Sequence, residues 1–237
     1  AHTLLVVFKI LRLPHKPTIL ILRNNSIKGF IPDNISNLSN LRILDLSSNN
    51  ITGSIPQVMT KLPRMIEAKV MSTSSSVDED SHPVDGSFVF IAQDVLQDLI
   101  VNWKKSFQGL PAGNLDMYSL LDLSGNRISG DIPPMIGNLK ALKVLNISHN
   151  IISGHIPVSI GSLEVIESLD LSHNKISGSI PQSMVQLQEL TTLDMSNNRL
   201  TGRIPIGGQM DTMTGFQNNS GLCGMQIEVI CHEDIRD

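Results

Sequence analysis

Residues 166–181, IESLDLSHNKISGSIP, constrain this chain more than any other stretch, because their frame returns at a fixed distance. It stands at 142–157 as LKVLNISHNIISGHIP and, equally far on the other side, at 190–205 as LTTLDMSNNRLTGRIP. A period in the range of roughly 20–29 residues, carrying LxxLxLxxN, describes stacked units in which each touches only its neighbours. Such a chain needs no single central core.

The anchoring asparagine of the frame falls at Asn25, Asn49, Asn126, Asn150, Asn174 and Asn198. Around each anchor, aliphatic residues (Met195 once) stand five and three positions before it. Another aliphatic follows two positions after, glycine four after, and Ile-Pro six and seven after. Alternating apolar residues such as Leu169 and Leu171 make a short strand with one face inward. Ser168, Asp170 and Ser172 then point outward, onto a concave face. Asn174 is placed to satisfy backbone groups that the tight bend leaves unpaired. Gly178 suits a bend with positive φ, and Pro181 removes a donor where no ladder bond is wanted.

The fold expected is an α/β solenoid: a leucine-rich repeat right-handed superhelix with a parallel concave β-sheet, 24-residue repeats and one non-repeat island. One unit cannot stand alone. Seven aliphatics of one repeat (Leu142, Leu145, Ile147, Ile152, Ile156, Ile160, Leu163) contribute roughly 1.5–3 kcal/mol each when buried. Ordering the backbone costs about 1–2 kcal/mol for every residue of the repeat. Stacking must supply the rest, and an array needs caps.

The chain divides accordingly. Residues 1–16 are a degenerate remnant, and 17–73 hold two clear repeats and one degenerate repeat. In the degenerate repeat, MIEAKVMST at 65–73 takes the strand position, with Met65, Ala68 and Val70 inward. Residues 74–117 are an island insertion, including most of a polar, acidic and turn-rich loop at 72–86. Within it, 87–92 and 99–103 read as short strands flanking a turn of helix at 93–98. Four repeats follow at 118–210, then a C-terminal cap and acidic tail at 211–237. The frame breaks after Pro205, where Gly207, Gly208 and Gln209 replace apolar positions and Asp211 replaces a leucine. No cysteine-bearing cap precedes the first strand, so its edge is expected to be exposed and further repeats are expected upstream.

Formal net charge is −4 with no basic stripe in the sequence, which argues against a nucleic-acid partner. The apolar run at 4–13, LLVVFKILRL, carries Lys9 and Arg12 and falls short of the about 20 residues a bilayer span requires. Cys223 and Cys231 sit where a disulfide would pin the cap over the last repeat; two cysteines are too few for a structural zinc. Asn-x-Ser/Thr acceptors for glycosylation occur at Asn24, Asn34, Asn37, Asn50, Asn146 and Asn218.

LDLSSNNITGSIP, LDLSGNRISGDIP, LNISHNIISGHIP and LDLSHNKISGSIP resemble the plant-specific extracellular leucine-rich repeat. The order of parts is similar to the C-terminal half of the ectodomain of plant receptor-like proteins. It runs through repeats, an island containing IVNWKKSFQGL, four closing repeats, NNSGLCG with a second cysteine, and the tail HEDIRD. The resemblance implies a single-pass receptor on the extracellular side of the plasma membrane, in immune or developmental signalling. It implies an extracellular peptide or protein ligand at the island and adjoining concave face, and a leucine-rich repeat co-receptor kinase near the closing repeats. Membrane contact would come only through a segment outside this chain, and the chain would be secreted if it ends at Asp237. The alternatives are a secreted inhibitor of a microbial wall-degrading enzyme, which is not expected to carry the island, or a truncated decoy fragment.

Candidate side chains follow from this frame. No cofactor and no catalytic residue are expected. Asp170, Ser172 and His173 mimic a hydrolase trio, but a triad is defined by geometry rather than adjacency. His149 and His173 stack one repeat apart without further metal ligands. Asp122, Asn146, Asp170 and Asp194 form one concave column, and Ser124, Ser148, Ser172 and Ser196 a second. The columns are either a solvated polar face or a surface for a peptide or co-receptor. A glycan on Asn146 would obstruct part of it. In the island, Phe88, Phe90, Trp103, Lys104 and Lys105 either anchor the insertion or bind an acidic or sulfated peptide.

Overall fold

The computed structural model describes residues 17–67, 89–91, 99–103, 105–110 and 117–231. In chain order its strands begin with β1 (Ile19–Ile21), β2 (Lys28–Gly29), β3 (Ile43–Asp45), β4 (Asn50–Ile51) and β5 (Val89–Ile91). There follow β6 (Leu99–Trp103), β7 (Ser106–Leu110), β8 (Leu120–Asp122), β9 (Val144–Asn146) and β10 (Ser168–Asp170). The last are β11 (Ser177–Gly178), β12 (Thr192–Asp194), β13 (Arg199–Arg203) and β14 (Gly221–Cys223). One seven-stranded sheet runs β12-β10-β9-β8-β3-β1-β5. Its register sets Leu20, Leu44, Leu121, Leu145, Leu169 and Leu193 side by side, one per rung. These leucines, all within 5% of full burial, belong to a continuous aliphatic core that runs the length of the array. Short 3-10 turns such as Val158–Ser162 and Gln182–Gln186 close the opposite side.

The buried anchor amide ties each rung to the one before. Asn150 Nδ2 donates to the carbonyls of Ile147, Ser148 and Leu123 at 3.0–3.2 Å, and its Oδ1 accepts from the Ile128 amide at 2.9 Å. Asn49, Asn126, Asn174 and Asn198 repeat the pattern. Gly178 sits at φ 79, and a Cβ there would lie 2.3 Å from His155 Cδ2. At Gly161, a Cβ would lie 2.4 Å from the Ser183 carbonyl oxygen, so successive 3-10 turns approach closely only without a side chain.

Two expectations need correction. β3 pairs directly with β8, Leu44 beside Leu121, so the sheet has no rung from residues 65–73 between them. Met65 lies instead in a short helix, α1 (Pro63–Ile66), and is fully buried in the core. It stands one full period after Leu41, whose place in the rung it fills. Its carbonyl accepts from the Ala141 amide, and the Ser119 carbonyl accepts from Lys143. One rung has therefore been split: the chain leaves it after the α1 turn and returns at Ser119 to supply the strand. Ala68, Val70 and Thr73, and the acidic loop and helical turn expected at 72–86 and 93–98, lie outside the described residues. The second correction concerns the edge of β1, expected to be exposed. β5 pairs with it in parallel, Phe90 beside Leu20.

The cap also holds more order than the frame suggests. Asn219, somewhat less than one period after Asn198, acts as a further anchor. Its Nδ2 donates to the Met195 and Phe216 carbonyls at 3.0 Å, and its Oδ1 accepts from Leu200. Met210 and Phe216 complete the core there. Cys223 and Cys231 form the expected disulfide, with Cα atoms 5.2 Å apart. Substituting Asn150→Ala should lower unfolding free energy by about 2 kcal/mol, because the buried Ile128 amide loses this acceptor and three carbonyls each lose one of two donors. Asn25→Ala, at an exposed anchor with two bonds, should cost less than half as much. Chemical denaturation of both variants measures the difference.

Candidate functional site: the concave face under the island hairpin

Side chains alternate along a strand, so the neighbours of each inward leucine face the concave side. In the first four rungs the preceding neighbours are Ile19, Ile43, Leu120 and Val144, and in the last two Ser168 and Thr192. An apolar column on an open face would be costly to hydrate, and here it is covered. β6 and β7 form an antiparallel hairpin, from Leu99↔Leu110 to Trp103↔Ser106. Val101 of β6 joins Ile19, Ile21, Ile43, Leu120 and Val144 in a second apolar cluster, each at most 5% exposed, with Tyr118 against it. The hairpin is thus folded onto the concave face. Its tip reaches the last rung, where the Lys105 ammonium meets the Asp194 carboxylate. Lys105 is left-handed, φ 63.

The acidic column lies beside that cluster. Asp122, Asn146, Asp170 and Asp194 are in register, as expected, with Asp45 continuing the row. The open solvated face is not what forms. Asp122 is 1% exposed and Asn146 9%, while Ser148, Ser172 and Ser196 are buried and Ser124 half-buried. The reason is local: Ser172 Oγ and its amide both donate to Asp170 Oδ1, at 2.7 and 3.0 Å. The same pair of bonds recurs at Ser47, Ser124 and Ser148. At Ser196 the amide donates to Asp194 Oδ1, and Asn197 Nδ2 donates to the hydroxyl. Most of each hydroxyl's hydrogen bonding is thereby spent on its own turn.

Burial and the neighbouring Asp45 push the Asp122 carboxyl up to about 6, against bonds from Ser124 and Asn146 that lower it. Asp194 goes the other way. Burial raises it, but the Lys105 ammonium together with the Ser196 hydroxyl and amide leaves it below its ordinary value. Two members of one column are thus shifted in opposite directions, one by burial beside a second acid and the other by the hairpin's ammonium.

The remaining candidates are placed as follows. Phe88 and Lys104 lie outside the described residues, while Phe90 and Trp103 belong to β5 and β6. His149 and His173 stack with ring centroids 4.1 Å apart. His173 Nε2 lies 3.2 Å from Asn197 Nδ2, and Ser172 Oγ turns to Asp170 rather than to the imidazole. Among the described residues, no three His, Cys, Asp or Glu side chains converge on a metal position. No described helix is long and apolar enough to cross a membrane. Of the glycosylation acceptors, Asn24, Asn37 and Asn218 are exposed, Asn34 and Asn50 half-buried, and Asn146 buried, its amide donating to Asp122. Sequence reasoning missed β7 and the apolar column, although aligning Ile19, Ile43, Leu120 and Val144 in the frame would have revealed the latter.

The model of the family described as leucine rich repeat matches residues 18–65, 119–176 and 157–200. Among curated proteins, receptor-like protein 47 of Arabidopsis thaliana is 38% identical over 50% of this chain and 14% of its own length. Receptor-like protein 46 of Arabidopsis thaliana is 46% identical over 51% of this chain and 21% of its own. The chain thus spans about a fifth or less of these relatives. Among solved structures, the Arabidopsis receptor kinase HAESA with the peptide hormone IDA and co-receptor SERK1 superposes with a TM-score of 0.59. Identity is 30%, with 85% of this chain and 25% of that one covered. The plant peptide hormone receptor RGFR1 in complex with RGF2 gives 0.58 at 26% identity, covering 84% and 24%.

A carboxyl raised in the folded state holds a proton that the unfolded chain has released, here between about pH 4 and pH 6. Through Asp122 the fold therefore loses stability as pH rises across that window. Asp122→Asn keeps the acceptor for Ser124, as Asn146 does for Ser148. It should raise stability at about pH 7.5 by about 1 kcal/mol and shrink the advantage of about pH 5 over pH 7.5. Denaturant midpoints at the two pH values measure both effects, and an unchanged pH difference would count against the buried acid as its source.

Proposed function

Starting from a chain that belongs to the leucine rich repeat family, we propose that it is the C-terminal portion of the ectodomain of a plant cell-surface receptor-like protein. It binds an extracellular peptide or protein ligand at the island and the adjoining concave face. Its closing repeats approach a leucine-rich repeat co-receptor kinase, and it works on the extracellular side of the plasma membrane in immune or developmental signalling. The single observation that carries this reading is the β6–β7 hairpin laid on the concave face with Lys105 on Asp194. A hairpin in that position rims any ligand on the concave side and couples it to the last repeats. The likeness to receptor-like proteins supports the receptor class. Structural neighbours solved with a peptide hormone, and in one case a co-receptor, support the ligand class.

Within this reading, specificity belongs to the island side chains Phe88, Phe90, Trp103, Lys104 and Lys105, aromatic and basic together as an acidic peptide requires. The concave column contributes through its least buried members, Asp170 and Asp194. The buried Asp122, Asn146, Ser148, Ser172 and Ser196 hold the surface rather than touch the ligand, as does half-buried Ser124. Glycans belong on the exposed Asn24, Asn37 and Asn218.

Two measurements test this. Calorimetric titration with acidic, tyrosine-sulfated peptides should show binding that weakens more than about tenfold in Trp103→Ala or Lys105→Ala. Equal affinity in the variants would remove the hairpin from the site. Inhibition of a wall-polysaccharide hydrolase without peptide binding would favour the secreted inhibitor. Mass spectrometry of the plant-expressed, secreted chain should find glycopeptides at Asn24, Asn37 and Asn218 and an unmodified Asn146.

A further inference from the structure

The overall charge of −4 conceals an asymmetry that appears only when the repeats are stacked. After each anchor the chain runs along one flank of the array, where residues one, three and five positions on face outward and the aliphatics between them face the core. On the closing rungs this flank carries Arg127, Lys175, Arg199 and Arg203, all exposed. Asp131 is the one acidic residue at these outward positions, and Ile151 interrupts the row. The amides of Arg127, Lys175 and Arg199 donate to the carbonyls of Ile51, Ile152 and Ile176 at 2.8–2.9 Å, which fixes each cation to its rung. None of the three has an ion-pair partner among the described residues.

Between the cations lies a floor of small residues, with Asp131 and His155 packed beside Gly154 and Gly178. Positions three and four after the anchor are Ser or Thr and then Gly: Ser129-Gly130, Ser153-Gly154, Ser177-Gly178 and Thr201-Gly202. Ser129 and Ser177 donate their hydroxyls to the Gly53 and Gly154 carbonyls of the preceding rung, so each oxygen faces a visitor as an acceptor. Of the acceptors for glycosylation, only Asn50 stands at one of these outward positions, and it lies outside 125–203. The closing rungs are left clear.

We propose that this flank, from Arg127 to Arg203, is a second binding surface, separate from the hairpin site, for a linear acidic polysaccharide. Rungs recur at about 4.8 Å, so the array presents Arg127 two rungs from Lys175, and Lys175 one rung from Arg199, along one flank. That suits a polymer with an anionic group on every unit. The floor selects saccharide over protein. Hydroxyl acceptors and the exposed backbone of Gly130 and Gly202 match sugar hydroxyls, whereas a protein partner would need apolar pockets and aromatic anchors, and the closing rungs of the flank offer only Ile151 and the His155 ring. Arg127, Lys175 and Arg199 meet the carboxylates or sulfates.

The test uses the full chain with immobilised polygalacturonate and heparin, which separate a polyuronate from a sulfated source, and with neutral dextran as control. Binding to at least one polyanion should fall steeply between about 50 and 300 mM salt. Lys175→Glu with Arg199→Glu should weaken it roughly tenfold or more. Lys61→Glu, an equal change per site at an exposed position elsewhere, should leave it nearly unaltered. The milder Lys175→Gln with Arg199→Gln, checked by circular dichroism, separates lost binding from lost folding. Trp103→Ala should have no effect, which keeps this outcome distinct from that of the peptide site. Equal loss in Lys61→Glu, no polyanion binding at low salt, or binding of poly-glutamate in preference to both polysaccharides would overturn the proposal.

Discussion

The stacking of the rungs depends on one side-chain amide in each, buried at Asn126 and Asn150. Asn126 Nδ2 holds the carbonyls of Leu46, Leu123 and Ser124, and its Oδ1 accepts from the Ile51 amide. A single side chain thereby closes its own bend and locks the bend of the rung before it. Losing the side chain removes the acceptor of the Ile51 amide and one of the two donors to each carbonyl, whose other donors are Asn49, Asn150 and the Ser48 amide. The consequences spread outward. The residue before each anchor is forced left-handed, φ 52 to 63 from Asn24 to Asn218. Positions on either side of the bend are assigned to the core, the concave face or the flank without further choice.

The concave face shows what happens when that assignment meets a non-repeating segment. Ile19, Ile43, Leu120 and Val144 face away from the main core and need cover, and Val101 of the hairpin supplies it. The cover then alters the electrostatics beneath it. Asp122 is desolvated beside Asp45 and rises, while Asp194 at the hairpin tip gains an ammonium and falls. Packing over this apolar column is what Val101 of the hairpin does.

Much of the array can be read in one dimension. Leu, Asn, Gly and Pro recur because a stacked unit repeats its constraints once per period, so the strands, the anchors and the parallel sheet are local facts. The paired cysteines of the cap belong with them. Legibility fails where a contact joins parts that share no period. Residues 65–73 mimic a strand because Met65 does fill a leucine position, yet the strand of that rung begins at Leu120, on the far side of the island. Asn219 was hidden because the last spacing falls short of the period. The serines read as solvent-facing are on the expected side but bonded to the aspartate, or at Ser148 the asparagine, two residues before, an arrangement that alternation alone cannot specify.

The amino-acid sequence by itself determined the class of fold, the identity of the inward residues and the position of the interruption, since each follows from spacing along the chain. Only the tertiary structure decided that β5 edges the sheet, that the hairpin lies on the concave face, and that Lys105 meets Asp194. It also decided that Arg127, Lys175 and Arg199 share one flank, which an overall charge of −4 hides. The reason is the same in each case. Backbone periodicity is set by near neighbours, whereas these arrangements depend on which distant surfaces find one another when apolar side chains leave water.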